Sequence, residues 1–464
     1  MRPDIVLPRV VSGPLWIGAL AVVVASVVAP AAAAPGAAAA GSLPAYLATF
    51  GVDRAARSLL EEPLAWDESK QRLALRVLAR LQLAPAERLA AWEADASPLA
   101  EASADLPGDR FVRLTGRALF VAPADLPADD ALAAGMPRAD LVRVRAGDGR
   151  VVDVLAAATP QAWPRWRLID EPASVVGLPL AVDAGPVPHD DGPRDDGAIT
   201  AWPDGAPTVL LAAGRVAWHP DTPLGRAGMD YGWFDTVADG RSLTAADGDA
   251  FYGALAAVAR ADAIPAGPAP PITELIDPGQ RWFTRHRGDV VTVAGICRRA
   301  TRIEIDDPLR AESLGLDHYW ELFVFVDTPL LQVHDQVHDT YPVVCCVREL
   351  PTGMPTGQAI GERVRLTGFG FKRYAYPLPP GAGAAPRRLE VPLIVARAVE
   401  WLPGPRARAW EQDRGPGLLP LAGLVATIML VGGWWLWWRG DRDRSRRRTA
   451  LPDRVRLPED GAGS

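Results

Sequence analysis

The chain has 464 residues, of which 49% are hydrophobic and 23% charged, with 49 basic against 56 acidic side chains and a formal net charge of −7. That length leaves room for two ordinary domains between two apolar ends. The acid excess argues against a general nucleic-acid binder, which has to neutralise phosphates with basic side chains. Three cysteines, Cys297, Cys345 and Cys346, exclude a disulfide framework, and at least one of them lacks an intrachain partner.

In chain order, Arg2 and Arg9 precede an apolar run over residues 14–28 and then the small-residue tract AAAAPGAAAAGS. This is the three-part pattern of a secretory signal. Residues 1–40 are expected to be a signal peptide or an N-terminal signal anchor, and either one delivers the following chain to the exterior. Lys70 and Lys372 are the only lysines, while arginine, alanine and proline abound, a bias that looks like a GC-rich bacterial genome.

The middle of the chain contains an internal repeat. FGVDRAARSLLEEPLAWDESKQRLALRVLARL, from Phe50, matches AGMDYGWFDTVADGRSLTAADGDAFYGALAAVARA, from Ala227. Both open on Gly-hydrophobic-Asp, at Gly51-Val52-Asp53 and Gly228-Met229-Asp230, whose aspartates are expected to cap helices or turns. Acidic helix starts follow, at Asp67-Glu68 and Asp247–Asp249. Next come apolar stripes with helical spacing: Leu73, Leu75, Val77, Leu78 and Leu81 in the first copy, Phe251, Leu255, Val258 and Ala259 in the second.

A β-rich stretch follows each helix. FVRLTGRALFV resembles VVTVAGICR, with Gly116 on Gly295, and TVLLAAGRVAWHP resembles PLIVARAVEWLP, with Trp218 on Trp401. LVRVRAGDGRVVDVL reads as a hairpin at Asp148-Gly149. The fourth strand looks short in the first copy (SVVGLPLAV) and clearer in the second (GERVRLTGFGFKRY). Each copy thus offers about five strands, and the glycines of the first strands suit a bend that closes a barrel.

Five short strands of alternating hydrophobicity, a glycine in the first and a closing strand at the module's end resemble an OB-fold type of small barrel. An SH3-like barrel or a small sandwich remains an alternative. The resemblance implies an α+β chain of two repeated modules, each an amphipathic helix followed by a five-stranded antiparallel barrel. The expected division is helical segment 41–107, barrel 108–220, helical segment and linker 221–279, and barrel 280–403. The arrangement is also similar to that of envelope proteins from GC-rich bacteria. Residues 183–207, rich in Gly, Pro and Asp and including Asp190, Asp191, Asp195 and Asp196, read as a loop, as do 377–389.

Toward the C-terminus a linker (404–416) precedes an uncharged apolar stretch, 417–438, and about 20 apolar residues cross a bilayer core as a helix. It ends in Trp434, Trp435, Trp437 and Trp438, which suit the headgroup region. The arginines at 439, 442, 444 and 446–448 follow, and basic flanks stay on the cytoplasmic side. The expected topology is a single pass through the inner membrane, with 41–416 outside and a basic tail (439–464) inside.

The strongest candidate for chemistry is LLQVHDQVHDTY. His334 and His338, four apart, would share a helical face and could hold a divalent metal with Asp335. Asp335 stands where a hydrolytic zinc helix of the HExxH kind has glutamate, and the segment lies between two strands where a polar loop is expected. Trp218 and Trp401 end strands before proline and are expected to plug the barrel mouth or pack on a neighbouring helix; the other reading is a binding face for oligosaccharide or bases. Phosphate-cradling, dinucleotide and serine-hydrolase motifs are lacking. The reading is therefore non-enzymatic, without a cofactor: a membrane-anchored, extracytoplasmic binding or scaffolding protein that contacts other envelope proteins. The alternatives are a metal-dependent enzyme at the histidines and an oligosaccharide-binding module.

Overall fold

The computed structural model describes residues 41–61, 68–99, 109–124, 136, 138–182, 209–261, 264, 266–333, 336–377 and 388–403. The expected signal, the acidic loop, the apolar span 417–438 and the basic tail lie outside them. Among the described residues, no helix is long and apolar enough to cross a membrane.

The first copy begins with α1 (Leu43–Ala48), α2 (Arg54–Glu61), α3 (Glu68–Gln82) and α4 (Ala86–Ala94). The Ser42 hydroxyl accepts from Ala45 N at the start of α1, satisfying one of the amides a helix leaves open there. Gly51, with φ 75°, reverses the chain after α1, a conformation that costs a residue with a Cβ. Val52 is then buried, and Asp53 caps α2 by accepting from Ala56 N at 2.8 Å. All five apolar residues of the α3 stripe are buried, each contributing about 1.5–3 kcal/mol relative to exposure.

Strands β1 (Ser97–Pro98), β2 (Val112–Ala124), β3 (Ala139–Ala146), β4 (Val151–Ala158), β5 (Leu168–Val182) and β6 (Val209–Trp218) follow. Beyond the short β1, they close into a five-stranded ring in the order β2-β3-β4-β6-β5, with β5 returning to β2. The β3–β4 hairpin turns at Asp148-Gly149, where Gly149 has φ 89°. Inside the ring pack Val112, Leu114, Val142, Val144, Val152, Val154, Val175 and Leu211. Leu141, Leu155, Leu178 and Leu210 face outward into a second cluster beneath α3.

The second copy repeats this plan. Its elements are α5 (Pro223–Arg226), 3-10 turns at Tyr231–Thr236 and Ala245–Asp247, α6 (Gly248–Arg260), α7 (Ile272–Ile276) and α8 (Trp282–His286). Then come β7 (Val290–Glu304), α9 (Pro308–Leu314), β8 (His318–Val333), β9 (Gln336–Glu349), β10 (Glu362–Pro377), β11 (Arg388–Ala398) and β12 (Glu400–Trp401). Thr222 caps α5 as Ser42 caps α1. Gly228 has φ 88°, and Met229 N bonds Leu224 O at 3.2 Å just as Val52 N bonds Leu47 O at 3.2 Å. Asp230 caps the first 3-10 turn through Gly232 N. Asp247, in a capping box with Thr244, also takes an ion pair at 2.9 Å from the fully buried Lys372, which ties the start of α6 to β10.

The ring order is again β7-β8-β9-β11-β10, with β10 returning to β7. In both rings the first-to-second and second-to-third strand pairings are antiparallel, the third strand runs parallel to the fifth, and the fourth closes on the first. A bulge interrupts the first strand between Ala118 and Phe120, and between Cys297 and Arg299, two residues after the paired glycines in each case. A Cβ on Gly116 would lie 2.1 Å from Arg145 O, and one on Gly295 2.2 Å from Phe325 O. The glycines are there because the next strand's backbone occupies that space.

Several expectations are corrected. The rings are not wholly antiparallel, because one parallel pairing closes each. The fourth strand of the first copy is not short: β5 starts at Leu168 and runs through Pro172 and Pro179, both of which pair with neighbours. Proline reads as a strand breaker because it cannot donate to a ladder, but only its N–H is lost and β5 keeps its other bonds. Each ring is preceded by several helices rather than one, and the linker after α6 itself contains α7. Both rings belong to one compact unit that ends at Leu402.

Candidate functional site

Trp218 and Trp401 occupy equivalent places. Trp218 pairs with Ala173, and its indole N–H donates to Glu171 Oε2 at 2.8 Å. Trp401 pairs with Val364, and its indole donates to Glu362 Oε2 at 2.7 Å. Glu171 lies opposite Ala118, and Glu362 opposite Cys297, so the two glutamates also share one register position. Trp218 packs edge-on against Trp163 and Tyr231. Trp401 approaches Gly353. Both rings are half-buried and hydrogen-bonded within the protein, which is the packing role expected of an indole whose polar edge needs a partner.

The outer face of the first three strands carries a row of side chains in each ring. In the first ring the row is Phe120, Arg143 and Asp153, one from each strand. Arg143 and Asp153 are both fully buried and paired twice, Nε to Oδ1 at 2.9 Å and Nη2 to Oδ2 at 3.0 Å. Two parallel bonds suit a planar guanidinium on a carboxylate. Trp166, held at φ 61°, lies edge-on to Phe120.

The second ring exchanges the aromatic and the cation between strands: its row is Arg299, Phe323 and Val344. The Arg299 guanidinium lies 3.6 Å from the Phe323 ring centre and pairs with Glu321 at 2.7 Å. Arg298 lies 4.2 Å over Phe325. Burial raises the Glu321 carboxyl above its ordinary range, and Arg299 opposes that shift. Burial likewise raises the hydroxyl of Tyr319 on the same strand face. Neither row was visible as a site in the sequence. The signal available was an Arg/Phe pair at matching offsets in the first two aligned strands, in exchanged order, which needs the register to be recognised.

His334 and Asp335 lie outside the described residues. His338 lies on the strand β9, where its backbone pairs with Leu331 of β8. Among the described residues no group of three or more metal-ligating side chains converges. Cys297, Cys345 and Cys346 are free, buried thiols. Burial pushes the Cys297 thiol up to about 11 and raises those of Cys345 and Cys346 further.

A serine–histidine pair also emerges, which the sequence reading did not single out. Ser174 Oγ lies 2.8 Å from His219 Nε2, and His219 Nδ1 lies 2.9 Å from Met229 O. The carbonyl accepts from Nδ1, which leaves Nε2 to accept the serine proton. His219 thereby ties the end of the first ring to the turn that opens the second copy. Asp230 reinforces the junction, accepting from Trp218 N at 3.0 Å and pairing with Arg215 at 2.7 Å.

No family model matches the chain, and no curated protein matches it. Among solved structures it is similar to a deletion mutant of the single-stranded DNA binding protein from Thermus aquaticus, at 9% identity over 63% of this chain and 94% of that one. The TM-score is 0.14, and a likeness at that level carries no inference about fold or function.

Proposed function

We propose that the chain is a membrane-anchored, extracytoplasmic binding or scaffolding protein of the bacterial envelope, built on two OB-like barrels and contacting other proteins through loops rather than through the barrel faces. The strand order supports the OB-like reading, since a five-stranded Greek-key ring of this kind is what that fold requires. The observation that carries the functional reading is the state of the outer faces. OB-type barrels that hold bases or sugars offer bare aromatic faces beside the second and third strands. Here the first ring commits Arg143 to Asp153 under full burial, and the second covers Phe323 and Phe325 with its own guanidinium groups. The loops between strands are left as the surfaces open to a partner.

The membrane anchor in this proposal rests on the sequence 417–438 and the arginines that follow it.

The test uses the full-length protein in intact cells, with a photo-reactive residue at Asp190 in the acidic segment or at Arg298 on the barrel face. The proposal expects a discrete protein adduct from Asp190, none from Arg298, and recovery in the membrane fraction. Saturable binding of a single-stranded oligonucleotide or a glycan that is lost in Phe325→Ala would overturn the loop reading. One bound zinc per chain, lost in His334→Ala/His338→Ala, would replace it with a metal-dependent one.

A further inference from the structure

In each copy the main helix packs on the closing strand of its ring, α3 on β6 and α6 on β11, and the two contacts finish differently. VLARLQ, residues 77–82 at the end of α3, matches AVARAD, residues 257–262 at the end of α6, which sets Leu81 on Ala261. The strand alignment that sets Arg215 on Ala398 also sets Gly214 on Arg397. In the first copy Leu81 is 2% exposed, and Gln82 closes over Gly214, its Nε2 3.1 Å from where a Cβ on that glycine would lie. In the second copy the leucine is replaced by an alanine and the glycine by an arginine.

A groove of ≈ 380 Å³ opens at this place, within the lower range of small-ligand sites. One wall is apolar and consists of Val258, Ala261 and Ile264, while Arg365, Arg397 and Glu400 supply charge on the other. Arg365 and Glu400 stand 3.8 Å apart and offset one another. Arg397 is different. It is exposed, and among the described residues no hydrogen bond or ion pair reaches its guanidinium. Its charge is felt further in, at Arg348, which donates to the carbonyls of Leu255 and Leu314. Burial lowers the pKa of Arg348, Glu349 opposes that shift, and Arg260 and Arg397 add to it.

A guanidinium with free donors beside an apolar wall is complementary to one carboxylate on an apolar stem. The planar fork gives the carboxylate two parallel N–H···O bonds, and the wall removes the stem from water. Glu400 at the rim disfavours a second negative charge on the ligand. We propose that the groove binds a small monocarboxylate with an apolar stem, its carboxylate on Arg397 and its stem against Val258, Ala261 and Ile264. This site does not depend on what the loops bind.

The experiment titrates the full-length protein, in zwitterionic lipid nanodiscs at neutral pH, with hexanoate, acetate and 1-hexanol by ligand-observed NMR, using empty nanodiscs as the blank. Hexanoate is expected to saturate a single site. Acetate lacks the stem and 1-hexanol lacks the charge, and each should bind about tenfold more weakly or worse. Arg397→Gln should weaken hexanoate by about tenfold or more, the effect of losing a charge-assisted bond, and leave 1-hexanol unchanged. Ala261→Leu restores the side chain that fills the first copy's contact and should abolish saturable hexanoate binding at an unchanged melting temperature. Arg397 is exposed, so its variant decides the question if Ala261→Leu proves less stable. No saturable hexanoate binding, acetate or 1-hexanol binding as tightly as hexanoate, or an affinity unchanged in Arg397→Gln would each overturn the inference.

Discussion

Trp218 donates its indole N–H to Glu171 across the end of the first ring at 2.8 Å, and Trp401 makes the same bond to Glu362 in the second. The partners are 47 residues apart in one copy and 39 in the other, yet they meet at the same register position. Each pair locks the last strand to the start of the fourth, at the end where a barrel would otherwise fray.

Replacing either indole by phenylalanine keeps most of the apolar area but strands the glutamate. A bond to a charged acceptor contributes about 1.5–3 kcal/mol, so Trp218→Phe and Trp401→Phe should each lower stability by an amount of that order in urea titrations. Because the partners touch, the double variant Trp401→Phe/Glu362→Gln should cost less than the sum of its parts. Strict additivity would show that the bond contributes nothing.

The paired glycines are a matched test of the duplication. Gly116→Ala and Gly295→Ala each drive a methyl group into a backbone carbonyl that cannot swing away. Overpacking of this kind costs roughly 1–3 kcal/mol, and both should melt early by similar margins. Gly147→Ala, whose nearest atom would be Thr115 O at 3.9 Å, should stay within about 0.5 kcal/mol of wild type. A harmless substitution at either strand glycine would contradict the close approach.

Glu321 should give the protein a small acid-favouring term. Its carboxyl is raised in the folded state, chiefly by burial and against the pull of Arg299, so the native state holds the proton more tightly than the unfolded chain. The associated stability is complete below the ordinary glutamate value of about 4.3 and is lost as pH rises through the raised folded value. Melting temperatures of wild type should therefore gain on those of Glu321→Gln as pH falls from about 7 toward 5. A difference that is flat with pH, or opposite in sign, would show that the Arg299 pair outweighs burial.

All three thiols should be inert in the native protein. The thiolate is the reactive form, and burial holds Cys297, Cys345 and Cys346 protonated well into the alkaline range. Ellman's reagent at about pH 8, near the unperturbed thiol value, should release no colour until denaturant is added, and then three equivalents. Fast reaction of one thiol would place it at the surface.

How much could be read beforehand differs from element to element. The α3 stripe was legible because helical spacing is a local property: Leu75, Leu78 and Leu81 recur every three residues whatever surrounds them. The Gly116/Gly295 and Trp218/Trp401 correspondences were legible because duplication preserves landmarks along the chain. The true length of β5 was not, since Pro172 and Pro179 signal interruption locally while pairing on both sides holds the strand together. The strand position of His338 was missed for a similar reason. A spacing of four residues suits a helix, but the long β8–β9 ladder decides the backbone there.

By itself, then, the amino-acid sequence determined the two-copy plan, the amphipathic helices, the hairpin at Asp148-Gly149 and the residue types where strands approach closely. All of these depend on neighbours within a turn of helix or a stretch of strand. Only the tertiary structure decided the parallel closure of each ring, the meeting of Trp218 with Glu171 and the exchange of arginine and phenylalanine between Phe120–Arg143 and Arg299–Phe323. Those follow from register between strands far apart in the chain, and a shift of one residue would turn every one of these side chains to the opposite face.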